Sequence, residues 1–186
     1  MEKYKVLRQV INKDALNIIK HTFQITKNVD YFLNNISQDN TCAFGDSQYR
    51  NSYSSYGHHT CEALMLHLQP LIQKETGKSL LPTYSYARIY WRGSELLKHT
   101  DRQACEYSIS ICIDYKDKPW DIYFDGERVV LEPGDLVIYE GMNVEHWRLP
   151  YDGEEQTQIF LHYVDVDGQC AEWALDKRPT LGLVKK

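Results

Sequence analysis

The sequence predicts a mainly β protein with flanking N-terminal helices and a jelly roll, or a related barrel, as its core. Two observations lead to this prediction. From residue 80 onward, apolar and polar side chains alternate with a period of two, in about eight short segments separated by turn sequences. Before residue 80, apolar residues recur with the spacing of amphipathic helices. We therefore expect one domain over residues 1–186, with helical and irregular support over 1–79, a barrel over 80–165 and a tail over 166–186.

Two helices are expected in the first third of the chain. Asn12 can cap the first helix, which carries an apolar face formed by Leu16, Ile19 and Phe23. Residues 34–56 are rich in Asn, Ser, Gln, Asp and Tyr, which favours a long surface segment. Thr60 then opens a second helix, with an apolar stripe formed by Leu64, Leu68, Leu71 and Ile72. Pro70 is expected to kink this helix or to begin a new turn, and Gly77 is placed to end it.

Four segments of the barrel region, residues 84–91, 106–113, 145–149 and 156–163, divide into two faces in the same way. A strand exposes alternate residues to opposite faces, so one side of each segment can pack on the helices and the other would line a lumen. The helix-facing positions are Ala87, Ile89, Trp91, Tyr107, Ile109, Ile111, Ile113, Trp147, Leu149, Thr157, Ile159, Leu161 and Tyr163. The lumen-facing positions are Tyr86, Arg88, Tyr90, Glu106, Ser108, Ser110, Cys112, His146, Arg148, Gln156, Gln158, Phe160 and His162.

Turn sequences separate several of these segments. Asp125-Gly126 and Pro133-Gly134-Asp135 combine residues that favour tight turns, and each is expected to close a hairpin.

Composition places the chain among ordinary soluble proteins. A net charge of −5 and the lack of a basic run give no reason to expect nucleic acid or an anionic membrane as a partner. We see no signal peptide and no apolar run long enough to span a bilayer. The five cysteines are odd in number and contain no C-x-x-C pair, which favours reduced thiols and a cytoplasmic location. They are Cys42, Cys61, Cys105, Cys112 and Cys170.

A candidate metal site follows from three residues. His99 and Asp101 stand two apart at the end of an extended run, so their side chains point to the same face of the chain. His146 is the third candidate and lies on the lumen side of its segment. Two histidines and one carboxylate form the facial triad of non-haem Fe(II) oxygenases, which leaves coordination positions open for a co-substrate and dioxygen.

The residues also resemble a known family. Arg88-Ile89-Tyr90, the His99-x-Asp101 pair, Pro133-Gly134-Asp135 and Glu145-His146-Trp147-Arg148 are similar to the 2-oxoglutarate/Fe(II)-dependent dioxygenases, and most of all to the prolyl 4-hydroxylase-like branch. The resemblance covers about residues 80–165 and implies a double-stranded β-helix (jelly roll) fold.

The resemblance further implies a reaction. His99, Asp101 and His146 would hold Fe(II), and 2-oxoglutarate and O2 would be consumed with release of succinate and CO2. A C–H bond of an amino acid, a peptidyl residue or a small molecule would be hydroxylated. No general base is required, so we nominate no catalytic residue beyond the metal ligands.

One feature departs from the family pattern. In this branch a Lys or Arg on the final strand usually pairs with the distal carboxylate of 2-oxoglutarate, whereas residues 154–158 offer no cation here. The carboxylate still requires a partner, because burying an unpaired charge is costly. Arg148 is the first candidate, since it shares the lumen face with His146 and Arg can grip a carboxylate bidentately. Arg88 is the alternative, and Tyr90 and Gln156 can each add a hydrogen bond.

Substrate contacts are open at two positions. Arg102 and Glu106 flank the predicted triad, where they either meet the substrate or form a structural ion pair. The substrate itself is expected to be a small molecule or a peptidyl residue, and the sequence does not choose between them.

Other histidines and cysteines are given structural interpretations. His58 and His59 with Cys61 lack a fourth zinc ligand at a recognisable spacing, so a turn and helix start is expected there. His67 is expected in the core, and His162 is expected to pack near the metal site without binding the metal. The remaining lumen and strand cysteines are interpreted as small buried residues, namely Cys105 and Cys112.

Two other classes of protein would share these features. A cupin-like jelly-roll binding protein with a structural metal would show the same strand pattern and acidic surface. A metal-dependent isomerase, or another dioxygenase that needs no 2-oxoglutarate, is the second alternative, and the missing final-strand cation keeps it open. Succinate production coupled to 2-oxoglutarate consumption distinguishes both from the dioxygenase.

Overall fold

Two antiparallel sheets form the protein in a computed structural model that describes residues 3–32, 42–45 and 51–183. The main sheet has seven strands in the order β1 (Tyr4–Leu7), β9 (Leu136–Tyr139), β6 (Tyr107–Lys116), β11 (Glu155–Asp165), β4 (Leu80–Trp91), β3 (Ser52–Tyr56) and β2 (Cys42–Phe44). The smaller sheet has four strands in the order β5 (Leu96–His99), β10 (His146–Arg148), β7 (Ile122–Phe124) and β8 (Glu127–Val129). This is the predicted jelly roll.

Two helices cover one face of the main sheet, α1 (Lys13–Phe32) and α2 (His59–Thr76). The predicted helix-facing residues of β4, β6 and β11 are buried against them, including Ile89, Ile111 and Leu161. Full burial of each such side chain contributes about 1.5–3 kcal/mol, so this interface is the principal hydrophobic core. The opposite face of the main sheet and the smaller sheet enclose a second cluster around Phe124 and Tyr139.

The first helix matches its prediction. The Asn12 side chain accepts a hydrogen bond from the backbone N–H of Ala15 at 2.9 Å, which satisfies an N–H group that has no partner inside the helix. The three predicted core positions, Leu16, Ile19 and Phe23, are buried.

The second helix differs in detail from its prediction. It begins one residue before Thr60, because Nδ1 of His58 accepts from the Thr60 N–H and caps it. Gly77 ends it with a φ of 70°, as expected, but the helix continues through Pro70. Pro70 is exposed, so water can replace the hydrogen bond that proline cannot donate. The buried stripe is Cys61, Met65, Leu68 and Ile72, and His67 is exposed on another side of the helix, so its prediction as a core residue is wrong.

The predicted surface segment is also partly wrong. Ser52–Tyr56 forms strand β3, which pairs with β4 inside the main sheet and is largely buried. Small serine side chains fill positions that face crowded surroundings, so a strand with no aliphatic residue still fits here. Residues 34–41 and 46–50 of that prediction lie outside the described residues.

Two further expectations fail because they depend on strand order. Asp125-Gly126 closes the β7–β8 hairpin as predicted, but Pro133-Gly134-Asp135 leads from β8 in the smaller sheet to β9 in the main sheet, and these strands do not pair. The apolar face of β10 does not pack on the helices. Trp147 stacks on Tyr123 with ring centroids 5.5 Å apart, and Leu149 is exposed.

Four cysteines, namely Cys61, Cys105, Cys112 and Cys170, are buried free thiols, and the side chain of Cys42 lies outside the described part of the chain. Among the described residues, no helix is both long and apolar enough to cross a membrane.

Candidate metal centre

The structure brings the three predicted metal ligands together. His99 ends β5 and pairs directly with His146 of β10, and the turn after β5 carries Asp101 to the same point. The Asp101 Oδ1 atom lies 3.6 Å from Nε2 of His99 and 3.7 Å from Nε2 of His146. One ligand atom from each residue lies within 4.8 Å of the others, a spacing that one metal ion can bridge.

Each imidazole is oriented by a backbone carbonyl. Nδ1 of His99 lies 2.9 Å from the Leu97 oxygen, and Nδ1 of His146 lies 3.0 Å from the Val144 oxygen. A carbonyl only accepts, so we assign the ring proton to Nδ1 in both cases. The Nε2 lone pairs are therefore left facing Asp101, in the arrangement that metal-ligating histidines adopt.

The directions of the pKa shifts at Asp101 and His146 favour the charge states in which these side chains bind a cation. Burial alone would raise the pKa of Asp101, but the neighbouring imidazoles of His99, His146 and His162 hold that pKa below the usual value. The nearby Asp101 carboxylate raises the pKa of His99, whereas burial lowers the pKa of His146. An ionised carboxylate and a neutral buried imidazole are the forms in which these side chains bind metal.

The Asp101 carboxylate is held on its far side. Its Oδ2 accepts a hydrogen bond from the Ser108 hydroxyl at 2.9 Å, and its backbone N–H donates to the Gly141 carbonyl at 2.8 Å. A Cβ atom at Gly141 would lie 2.5 Å from Asp101 Oδ2 and 2.7 Å from Ser108 Oγ. Only glycine allows this approach. The sequence analysis missed Gly141 as a site residue, because nothing local marks it.

A second set of possible ligands lies beside the first. Asp101, Cys105 and His162 also offer ligand atoms within 4.8 Å of one another. Burial raises the pKa of the Cys105 thiol to about 12, so the thiol stays protonated, and a thiol binds metal as the thiolate. This set is therefore the weaker candidate metal site, and His162 lies beside the predicted ligand Asp101.

A cavity of about 440 Å³ opens in front of the triad. Its wall is mainly aromatic, with Tyr84, Tyr86, Tyr90, Tyr139 and Phe160 among the lining residues. Two arginines, Arg88 and Arg102, also line it, and Asp101 is the single carboxylate among the lining residues. The cavity thus combines a metal-ligand set with aromatic surfaces and positive charge.

The four predicted co-substrate residues fall into two groups. Arg88 and Tyr90 line the cavity, and the Arg88 guanidinium lies 5.0 Å from the Tyr86 ring and donates to the Tyr86 hydroxyl at 3.2 Å. Arg148 and Gln156 are not among the lining residues.

Arg148 and Gln156 both contact Trp120 instead of the cavity. The Arg148 guanidinium lies 5.1 Å from the Trp120 ring and donates to the Trp120 carbonyl. The Gln156 side chain accepts from the Trp120 N–H at 2.6 Å.

Gln158 was predicted on the lumen face but not as a site residue. It lies opposite Arg88 in the β11–β4 register and is fully buried. Within the described residues, its Nε2 has no hydrogen-bond partner. A buried donor of this kind indicates that an acceptor is missing, and a bound ligand would supply one.

The two candidate substrate residues also separate. Glu106 accepts the backbone N–H of Asp165 at 2.9 Å and is not among the described residues that line the cavity. Arg102 lines the cavity, and its guanidinium donates two hydrogen bonds to Asp176 at 2.8 and 2.9 Å. The expected Arg102–Glu106 alternative is therefore replaced by a bidentate pair with a residue of the C-terminal segment.

That segment includes the 3-10 turn Ala171–Lys177, which packs against β4, β11 and the short turn Gln103–Cys105. Asp176 is fully buried and also accepts from the Tyr56 hydroxyl at 2.7 Å. The Arg102 guanidinium lies 4.6 Å from the Tyr84 ring and 5.9 Å from the Trp173 ring. Arg102 is thus held in one position at the edge of the cavity.

Comparison with solved structures identifies the fold. The carbocyclase SnoK from nogalamycin biosynthesis, described as non-haem and α-ketoglutarate-dependent, superposes with a TM-score of 0.70 at 11% identity, over 89% of this chain and 80% of that one. A 2-oxoglutarate complex of the viral collagen prolyl hydroxylase of Paramecium bursaria Chlorella virus-1 gives 0.62 at 8% identity, over 87% and 95%.

A third solved structure adds a metal and a ligand. HygX from Streptomyces hygroscopicus, with nickel, 2-oxoglutarate and hygromycin B bound, gives a TM-score of 0.64 at 9% identity, over 89% and 84% of the two chains. No protein-family model matches the sequence, and comparison with curated proteins gives no match. The chain therefore has the double-stranded β-helix fold of the 2-oxoglutarate/Fe(II)-dependent oxygenases.

Proposed function

We propose that this protein is a non-haem Fe(II)- and 2-oxoglutarate-dependent oxygenase that hydroxylates a C–H bond of an amino acid, a peptidyl residue or a small molecule. One observation carries the proposal. In a fold that the 2-oxoglutarate-dependent oxygenases use, Nε2 of His99, Nε2 of His146 and Oδ1 of Asp101 face one another beside an aromatic cavity. This donor set fits non-haem Fe(II) with positions open for a co-substrate and dioxygen.

The chain's own residues would act mainly by positioning. His99, Asp101 and His146 would hold Fe(II), and the aromatic wall would orient the substrate and exclude water from the reacting carbon. When bound, Fe(II), 2-oxoglutarate and O2 together supply oxidative decarboxylation to succinate and CO2 and the oxidation of the substrate. No side chain needs to act as a general base.

Arg88 is the proposed partner of the distal carboxylate of 2-oxoglutarate. It lines the cavity, and it lies on β4 directly across from Gln158 of β11, the strand on which the family usually places this cation. The positive charge would then lie on β4 instead of on β11, at a position that pairs directly with the final strand. The buried Gln158 amide would add a hydrogen bond from its Nε2, and the neighbouring Tyr90 lies opposite Gln156.

Arg148 stays the alternative for this role. It is on the same strand as His146 and is 2% exposed, but its guanidinium is directed at Trp120. To bind 2-oxoglutarate there, the Trp120 region would have to open. Cavity access therefore favours Arg88.

The substrate is not specified by the fold. One of the structural neighbours is a collagen prolyl hydroxylase and another holds hygromycin B, so the same architecture accommodates a peptidyl and a small-molecule ligand. In this cavity, Arg102 and the Tyr84 ring stand closest to the C-terminal segment and are the proposed contacts for the substrate.

The test is anaerobic titration of 2-oxoglutarate into the protein with Fe(II). We expect a visible metal-to-ligand charge-transfer band in the wild type, followed by succinate formation when O2 is admitted. Asp101→Ala is the matched control and should show neither bound iron nor the band, because it removes the carboxylate ligand. A wild type that binds iron but never develops the band would favour the metal-dependent isomerase or the cupin-like binding protein.

A further inference from the structure

A buried chain of hydrogen bonds leads from the metal ligand Asp101 into the main sheet. Oδ2 of Asp101 lies 2.9 Å from the Ser108 hydroxyl, and the same hydroxyl lies 2.9 Å from Nδ1 of His162. Ser108 of β6 and His162 of β11 are direct cross-strand partners, and Ser108 is in turn paired with Tyr139 of β9. Rigid strands therefore set these distances.

The direction of the hydrogen bonds follows from the chemistry of the groups. The hydroxyl of Ser108 has two acceptors in reach, the charged Asp101 carboxylate at 2.9 Å and the Cys105 carbonyl at 3.2 Å, and its single hydrogen is directed to the nearer, charged one. The Ser108 oxygen then presents a lone pair to His162, so the hydrogen between them belongs to Nδ1 of His162. The bond to a carboxylate is charge-assisted, which makes this order more favourable than donation from Ser108 to the imidazole.

We propose that His162 is a positioning residue that acts through Ser108 to hold the Asp101 carboxylate in the orientation that binds the metal. The inference rests on the proposed function, since it presupposes the metal at His99, Asp101 and His146. With Oδ2 held by Ser108, Oδ1 alone faces the two Nε2 atoms, at 3.6 and 3.7 Å. The carboxylate would then bind the metal through one oxygen.

A packing role alone does not account for a histidine at this position. His162 is 6% exposed and its ring lies 4.5 Å from the Tyr84 ring, a place that a phenylalanine ring would fill without a polar group. Burying an imidazole costs free energy unless its N–H groups are hydrogen-bonded. The hydrogen bond to Ser108 both satisfies Nδ1 and connects the ring to Asp101.

The experiment compares metal binding by the wild-type chain with that of variants at Ser108 and His162. Ser108→Ala removes the hydroxyl, His162→Phe keeps the ring but removes the donor, and His162→Asn keeps an N–H near the position of Nδ1. Affinity for Mn(II) is measured by electron paramagnetic resonance of the free ion, and the geometry is followed by the visible spectrum of the Co(II) form. Loss of the partner of a metal ligand weakens metal binding by roughly 10- to 100-fold.

The expected Mn(II) affinities and Co(II) spectra differ from those of a packing role, because His162 is proposed to act on Asp101 through Ser108. Ser108→Ala and His162→Phe should each weaken Mn(II) binding and alter the Co(II) spectrum, and His162→Asn should restore much of both. Because His162 acts through Ser108, adding His162→Phe to Ser108→Ala should cause no further loss. The matched control is Ser110→Ala, which removes a hydroxyl from the same face of β6 and should leave Mn(II) affinity unchanged.

Two results would overturn the inference. One is wild-type Mn(II) affinity and an unchanged Co(II) spectrum in a folded His162→Phe protein, with folding checked by thermal unfolding of the metal-free form. The other is equal loss in His162→Phe and His162→Asn, which would indicate packing. If the wild-type protein binds no divalent metal, the proposed function is wrong, and this inference fails with it. If the wild type binds metal and the variants behave in either of these two ways, only the inference fails.

Discussion

At the scale of single residues, the proposed metal site depends on how closely the backbone approaches the Asp101 carboxylate. The Gly141 carbonyl accepts the Asp101 N–H, and Gly141 leaves space for Oδ2 and the Ser108 hydroxyl where any side chain would begin. His99 and Asp101 could be recognised from the sequence because they stand only two residues apart and are chemically distinctive. Gly141 and Ser108 could not, because their roles come from contacts made only after folding.

Gly141→Ala tests this close approach. The added Cβ would also meet the Cys105 carbonyl, so Asp101 or Ser108 must move, and we expect Mn(II) affinity to fall by at least about tenfold, as for other lost supports of a metal ligand. Calorimetric titration of Mn(II) measures the change. Gly126→Ala is the control: Gly126 has a φ of 95° and nothing within 4 Å of its Cβ position. That change should cost about 1–2 kcal/mol of stability and leave metal affinity intact. Equal metal affinity in the Gly141 variant and the wild type would contradict this account.

At the scale of elements, the period-two pattern predicts which face of a strand a residue occupies, but not which sheet the strand joins. It placed His146, Arg148 and His162 on the lumen side, where the structure has them. It could not show that β10 belongs to the smaller sheet, because strand order depends on pairing between distant segments. For the same reason Trp147 was expected against the helices and instead stacks on Tyr123.

The same limit explains the choice between the two lumen arginines. Alternation puts Arg88 and Arg148 on the same side of their strands, and proximity to His146 along the chain favoured Arg148. Cross-strand register instead puts Arg88 beside Gln158 and on the cavity wall, while Trp120 occupies the space in front of Arg148. Residues 145–149 carry no local signal for that Trp120 contact.

Replacement of each arginine by lysine decides between the two strands. Lysine keeps the charge but cannot grip a carboxylate with two parallel N–H groups. Arg88→Lys should therefore weaken 2-oxoglutarate binding by about 1.5–3 kcal/mol, the value of a charged hydrogen bond, or roughly tenfold to over a hundredfold. Anaerobic titration with Fe(II) measures this affinity. Iron binding should not change in either variant, and Arg148→Lys should have the smaller effect on 2-oxoglutarate. A larger loss of 2-oxoglutarate affinity in Arg148→Lys than in Arg88→Lys would instead place the distal carboxylate of 2-oxoglutarate at Arg148 of β10.

At the scale of the whole molecule, buried charges tie the C-terminal segment to the barrel. The Arg178 guanidinium donates to Glu62 of α2 at 2.7 Å, and both side chains are almost fully buried. Asp176, two residues earlier, holds Arg102 next to Asp101, one of the proposed metal ligands. Removing one partner of such a pair leaves an uncompensated buried charge, so the tail and the metal site are expected to unfold together.

Acid should destabilise the metal-free protein through His162. Burial lowers the pKa of His162 from 6.5 to about 4, so above pH 6.5 the residue is neutral in both states and costs nothing. Between pH 6.5 and 4, His162 is protonated in the unfolded chain but stays neutral in the folded protein. The free energy of unfolding therefore falls by roughly 3 kcal/mol in total as the pH is lowered, and then levels off. The His162→Phe protein lacks this contribution, so its free energy of unfolding should decline less over the same interval, whatever its value at pH 7.5. Urea denaturation of both proteins in EDTA at several pH values measures the two slopes. Parallel slopes would mean that His162 titrates in the folded protein as it does in the unfolded chain, and that its ring is not held neutral beside Ser108.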